Sequence, residues 1–192
     1  MALLAILTLA IVGGVAYTQF REGLLAAFTN CFCIVVAGMI AFQFWPVTAQ
    51  ELEPTLKDSF MNGMEDGLAL VFSFCISLAA LRFVATALAK RDLGISQKLN
   101  QAGGVVFGSI AGYLVAGFLI CVLQTLPWHE NFLGFHHDEP GFATRVIPSD
   151  QVWLKLMNRL HGGAFNPGED QSKNLREFSK TFAKDRRYTG PN

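Results

Sequence analysis

The chain has 192 residues, of which 52% are hydrophobic and only 16% are charged. Ordinary globular domains carry about 25% charged residues, so this composition argues against a soluble enzyme. Fifteen basic and fifteen acidic residues balance to a net charge of zero, and the missing basic excess argues against a nucleic-acid-binding protein.

The charged residues are unevenly distributed. Residues 1–127 contain 6 Lys or Arg and 7 Asp or Glu, whereas the shorter segment 128–192 contains 9 and 8. We therefore predict an apolar membrane domain over residues 1–127 and a polar C-terminal tail over residues 128–192.

Four apolar stretches are long enough to cross a bilayer, whose ~30 Å hydrocarbon core requires about 20 helical residues. They cover residues 2–18, 24–45, 67–89 and 105–126. The first has no basic segment before it, which argues against a cleaved signal peptide. Pro46 and Pro127 are expected to close the second and fourth spans. The predicted fold is all-α: a polytopic four-transmembrane-helix bundle with a short helical soluble tail.

Basic residues in the short loops predict the orientation. The loops after the first and third spans contain Arg21, Lys90, Arg91 and Lys98, whereas the loop after the second contains Lys57 among five acidic residues. Loops rich in Lys and Arg stay on the cytoplasmic side. We therefore expect both basic loops in the cytoplasm, and both termini and the acidic loop outside.

Small residues recur every four positions in the fourth span, at Gly104, Gly108, Gly112 and Ala116. On a helix they form one smooth strip. Helices in lipid associate by close backbone packing, which small residues permit. We predict a tight helix crossing, or glycine zipper, either within the bundle or between copies; general tolerance of glycine in membrane helices is the alternative.

Arg82 is the one charged residue inside the third span. A charge within a span is costly and often functional. Arg82 lies seven residues before Ala89, so its side chain is close enough to the cytoplasmic interface to reach it by snorkelling. The alternative is a polar site that faces the bundle interior, to which Asn30 and Gln43 would contribute.

No catalytic or metal site is predicted. Three of the four histidines cluster soon after the fourth span, at His129, His136 and His137, but their spacing fits no standard zinc pattern. The sequence contains no Ser-His-Asp signature, phosphate-binding glycine loop or HExxH helix. We expect no enzymatic activity, no metal and no cofactor.

Two short amphipathic helices are predicted in the tail. A start signal lies at Pro148-Ser149-Asp150. The apolar face that follows consists of Val152, Trp153, Leu156, Met157 and Leu160. The second helix, over about residues 171–187, is basic; it is suited either to lie on anionic lipid or to pack on the first tail helix.

Two motifs make the first ~130 residues resemble the bacterial colicin V production protein (CvpA) family. The segment FREGLL, which contains Arg21 and Gly23, resembles the family's Arg-x-Gly turn before the second span. The segment LNQAGGVVFGSIAGYLVA is similar to the glycine-rich start of the family's last span. Asn100 in that segment stands at or near the place of an Asp that often precedes the glycines.

The resemblance implies a small bacterial inner-membrane protein with a role in toxin production or export and in envelope homeostasis. The expected partners are the lipid bilayer and either further copies of the chain or another membrane protein. The first functional hypothesis is a scaffold or assembly factor. The alternative is a small channel or transporter subunit with a polar site around Arg82.

Overall fold

The computed structural model describes residues 2–56, 64–88, 96–126 and 149–160. Its helices are α1 (Ala2–Glu22), α2 (Leu24–Leu56), α3 (Glu65–Leu88), α4 (Gln97–Thr125) and α5 (Ser149–Leu160). Helices α1 to α4 are long and apolar enough to span a membrane, and no strand occurs in these four ranges. The predicted all-helical membrane fold is confirmed.

The second span does not stop where the sequence predicts. Helix α2 continues through Pro46 and Pro54 to Leu56, so the expected end at Pro46 is wrong. A proline removes one backbone hydrogen bond from its helix, and membrane helices tolerate that loss when their neighbours support them. Here Trp45 Nε1 donates a hydrogen bond to Asp66 Oδ1 of α3 at 2.9 Å, which holds α2 beside the first proline.

The fourth span begins earlier than predicted. Helix α4 starts at Gln97, so residues expected in a cytoplasmic loop are helical. The added turns include Asn100 and Gly103, which both approach Leu24 at the start of α2. These tertiary contacts stabilise a polar segment that hydropathy alone assigns to a loop.

Helix α4 lies at the centre of the membrane part. It packs along α1 on one side and along α2 on the other, and α2 in turn packs along α3. A buried cluster joins α2, α3 and α4, with prominent members Phe42, Leu70, Phe74, Leu114, Phe118 and Val122. Within it the rings of Phe74 and Phe118 stack with centroids 4.1 Å apart. The outward faces of all four helices are also apolar, as membrane-spanning helices require.

Helix α5 belongs to the predicted polar tail, yet it packs into the buried core of the helix bundle. Trp153 and Met157 are fully buried and join the cluster of α2, α3 and α4. Val152, from the same predicted apolar face, is exposed. The second predicted tail helix and the three histidines lie outside the described residues.

Candidate functional site

The glycine strip of α4 faces the backbone of α1. A Cβ atom added at Gly104 would lie 2.6 Å from the carbonyl oxygen of Gln19, and one at Gly108 would lie 2.7 Å from the Cβ of the same residue. A Cβ at Gly112 would lie 2.8 Å from the Cα of Val12. All three distances are shorter than non-bonded heavy atoms allow. The close crossing of α1 and α4 therefore depends on glycine at these positions.

The structure places this strip inside one chain. Ala116, the last small residue of the series, is fully buried as well. A face that already contacts α1 is not available to a second copy in the same state. By contrast, a Cβ at Gly13 or Gly14 of α1 would have no atom within 4 Å among the described residues.

The turn between α1 and α2 is held by the first turn of α4. Gly23 has a φ of +92°, which glycine adopts readily and other residues avoid. Its N–H donates to the carbonyl oxygen of Gln19 at 2.9 Å. The next N–H, that of Leu24, donates to Asn100 Oδ1 at 2.7 Å. A Cβ at Gly23 would collide with the Asn100 side chain, while Arg21 is exposed beside the turn.

The two segments that carry the family resemblance therefore meet in space, although Leu24 and Asn100 are 76 positions apart. The family model described as colicin V production protein matches residues 4–135, more than half of the chain. The chain belongs to the colicin V production protein family. Neither a curated protein nor a solved structure matches it significantly.

Helix α5 lies beyond the segment that the colicin V production family model matches. It occupies a groove between α2 and α4 that two glycines keep open. A Cβ at Gly38 of α2 would collide with the indole ring of Trp153, and one at Gly117 of α4 would collide with the carbonyl oxygen of Ser149. The indole also meets the ring of Phe118 edge-on, with centroids 5.8 Å apart.

Polar groups are buried at the N-terminal end of this docked helix. Gln124 Nε2 donates a hydrogen bond to Asp150 Oδ2 at 2.9 Å, and both side chains are buried. Ser149 Oγ and Trp153 Nε1 are also buried, and neither has a hydrogen-bond partner within the described ranges. Buried polar atoms are normally hydrogen-bonded. These two atoms are therefore exceptions at an interface whose remaining contacts are largely apolar.

Arg82 lies at the protein surface, where its Nη2 is 3.2 Å from Oε1 of Glu22. The two side chains are 57% and 40% exposed. Because Arg82 pairs with Glu22, it lies near the start of α2 at Leu24. Gln43 lies nineteen residues after Leu24, or about 28 Å along α2, so the structure does not bring it to Arg82. Asn30 is half-buried on α2 and makes no hydrogen bond to Arg82 in the part of the chain that is described.

The close contacts described above are packing contacts between helices. No group of three or more His, Cys, Asp or Glu residues among them is placed to hold a metal ion. The four cysteines are free. The residues that sequence reasoning missed are Gly38 and Gly117, which receive α5. In the sequence each is simply a small residue within an apolar span. That feature does not predict which helix the residue contacts.

Proposed function

We propose that this chain is a membrane scaffold or assembly factor in the production or export of a peptide toxin and in envelope homeostasis. Membership of the colicin V production family supports the link to toxin production. The observation that carries the scaffold assignment is the common core of the membrane helices and α5, in which Trp153 is fully buried.

A shared core couples two parts of the protein mechanically. Helix α5 contacts α4 and α2, so while it is docked it cannot move independently of them. A partner bound to α5 would therefore be held at a fixed position relative to the membrane helices. That property suits a protein that organises others at a membrane, and it requires no catalytic group.

We further propose that the protein lies in the bacterial inner membrane with both termini outside. Arg21 and Lys98 are exposed at the end where α1 joins α2 and α4 begins. Glu51 and Glu53 are exposed near the opposite end, at the close of α2. The preference of basic residues for the cytoplasmic side supports this orientation.

The transport alternative has less support. It requires Arg82 to face a watery cavity, whereas Arg82 pairs with Glu22 and both side chains are exposed. An arginine near a helix end that reaches the interface does not need a cavity.

Crosslinking in native membranes tests the scaffold proposal. A tagged chain would be crosslinked, purified in mild detergent and analysed by mass spectrometry, beside a Trp153→Ala variant and a Gly14→Leu control. We expect specific partners that are retained in the control and reduced when the indole is removed. Recovery of the chain alone, as a homo-oligomer, would reject the scaffold proposal and direct the next experiments to ion flux.

A further inference from the structure

The short helix α1 shows which part of α4 lies within the bilayer. Near one end of α1, Leu4 packs against Ile120, and near the other end Gln19 packs against Gly104. Leu4 and Gln19 are fifteen positions apart, or about 22 Å along the helix, which is less than the ~30 Å hydrocarbon core. Because α1 must cross the whole core, the part of α4 from Gly104 to Ile120 lies inside it.

Helix α5 docks at the level of this part of α4. A Cβ added at Gly117 would collide with the carbonyl oxygen of Ser149. One added at Gly38 of α2 would collide with the ring of Trp153 and would lie 3.6 Å from Cε of Met157. Over these residues α5 therefore passes from α4 to α2 beside the spans, in the half of the bilayer next to the C-terminal end of α4.

The face of α5 that points away from the bundle is basic. Val152, Lys155 and Arg159 are exposed there, at spacings of three and four residues that place them on one side of a helix. Neither cation forms an ion pair with another described residue. A cation beside apolar spans is costly unless water or an anion reaches it, so this face needs a polar partner at the depth where α5 lies.

The phosphate of a phospholipid has the chemistry that this face lacks. Long basic side chains reach from inside the hydrocarbon core to the headgroup region. Residues four apart on a helix are neighbours, so Lys155 and Arg159 can bind the same phosphate, and arginine can form two parallel hydrogen bonds with its oxygens. The exposed side chain of Val152 offers an apolar contact for an acyl chain beside them. A zwitterionic headgroup carries its own cation, so charge complementarity favours an anionic lipid.

We propose that the exposed face of α5 binds an anionic phospholipid in the leaflet at the C-terminal end of α4, with Lys155 and Arg159 as the phosphate ligands. The lipid neutralises the two cations while Trp153 and Met157 keep α5 docked on the bundle. This inference goes beyond the proposed scaffold function. It holds for either orientation in the membrane, because the leaflet is defined by α4.

Photocrosslinking in lipid nanodiscs tests the site with the full-length protein. The discs consist of phosphatidylcholine with a small fraction of a photoactivatable lipid, which has either a phosphatidylglycerol or a phosphatidylcholine headgroup and the same acyl chains. After illumination the protein is digested with chymotrypsin, and lipid-modified peptides of α5 are quantified by mass spectrometry. The variant Lys155→Gln/Arg159→Gln removes both cations. The control Arg21→Gln/Lys98→Gln removes two exposed cations at the opposite end of the bundle.

We expect the phosphatidylglycerol probe to label α5 at least threefold more than the phosphatidylcholine probe. The variant without the two cations should lose this preference, and the control should retain it. Lys155→Arg/Arg159→Lys keeps both charges and should also retain it. Because all the substituted side chains are exposed, the variants should elute as the wild type does in size-exclusion chromatography.

Equal labelling of α5 by the two probes would overturn the proposal, because the face would then contact lipid without recognising its charge. Absence of lipid from α5 with both probes would also overturn it and would indicate that protein or water covers this face. A preference that survives the loss of both cations would reject Lys155 and Arg159 as the ligands. None of these results depends on the partners found by crosslinking in native membranes, so the lipid site and the scaffold function can fail separately.

Discussion

The side-chain oxygen of Asn100 accepts a hydrogen bond from the backbone N–H of Leu24 at 2.7 Å. Leu24 is the first residue of α2 and Asn100 lies in the first turn of α4. The N–H groups at the start of a helix have no partner within that helix, so α4 supplies one for α2. The left-handed Gly23 leaves room for this contact, which fixes the turn between α1 and α2 against α4.

Removing this cap should destabilise the fold measurably. We expect Asn100→Ala to lower the free energy of unfolding by about 0.5–2 kcal/mol, as loss of helix caps does elsewhere. Asn100→Asp should retain most of the stability, because a carboxylate accepts the same hydrogen bond and its charge suits a helix N-terminus. Denaturation of the purified variants in detergent provides the measurement. Equal stability of the alanine and wild-type proteins would show that the cap contributes nothing.

Bulk added to the glycine strip should disrupt the crossing of α1 and α4. A side chain at Gly112 would collide with the backbone of Val12. Helix backbone cannot move aside as easily as the end of a flexible side chain. Overpacking of this kind costs about 1–3 kcal/mol or more, so we expect Gly112→Leu to reduce the yield of folded protein. Gly14→Leu is the matched control, since a Cβ at that position has no atom of the described residues within 4 Å. Size-exclusion profiles after mild solubilisation would reveal the difference, and identical profiles would contradict the crossing.

Loss of the indole should release α5. Trp153 is fully buried against Gly38 and Phe118, and removal of such a side chain costs about 3–5 kcal/mol in protein cores. We expect Trp153→Ala to be cleaved by trypsin after Lys155 at least tenfold faster than wild type, because a docked helix resists the protease. Trp153→Phe keeps an aromatic ring and should stay closer to wild type. Unchanged cleavage in the alanine variant would show that the indole does not hold α5.

The ion pair of Arg82 should contribute little to stability. Exposed pairs of this kind are worth up to about 1 kcal/mol and weaken in high salt, and both partners are well exposed here. We expect Arg82→Ala and Glu22→Gln to shift the unfolding midpoint slightly and by similar amounts, with no further loss in the double variant. A large loss of stability confined to Arg82→Ala would indicate a contact other than Glu22.

Much of the fold was predictable because lipid imposes a simple constraint. A helix that crosses the bilayer must be apolar for about 20 residues, so hydropathy alone located four spans. It was less reliable at their ends. Pro46 does not end α2, and α4 begins at Gln97 rather than near the glycines. Helix ends depend on hydrogen bonds from neighbouring helices, such as that of Trp45 to Asp66, which hydropathy does not register.

The candidate site was predictable only in part. The spacing of Gly104, Gly108 and Gly112 indicated a close contact, and only the structure placed it on α1. Sequence also predicted the apolar face of α5 but gave no reason to place Trp153 between Gly38 and Gly117. By itself the sequence determined which segments are apolar and which positions are small, because both are properties of single residues. Which surfaces meet was decided by the tertiary structure, since close packing depends on the shapes of two helices at once.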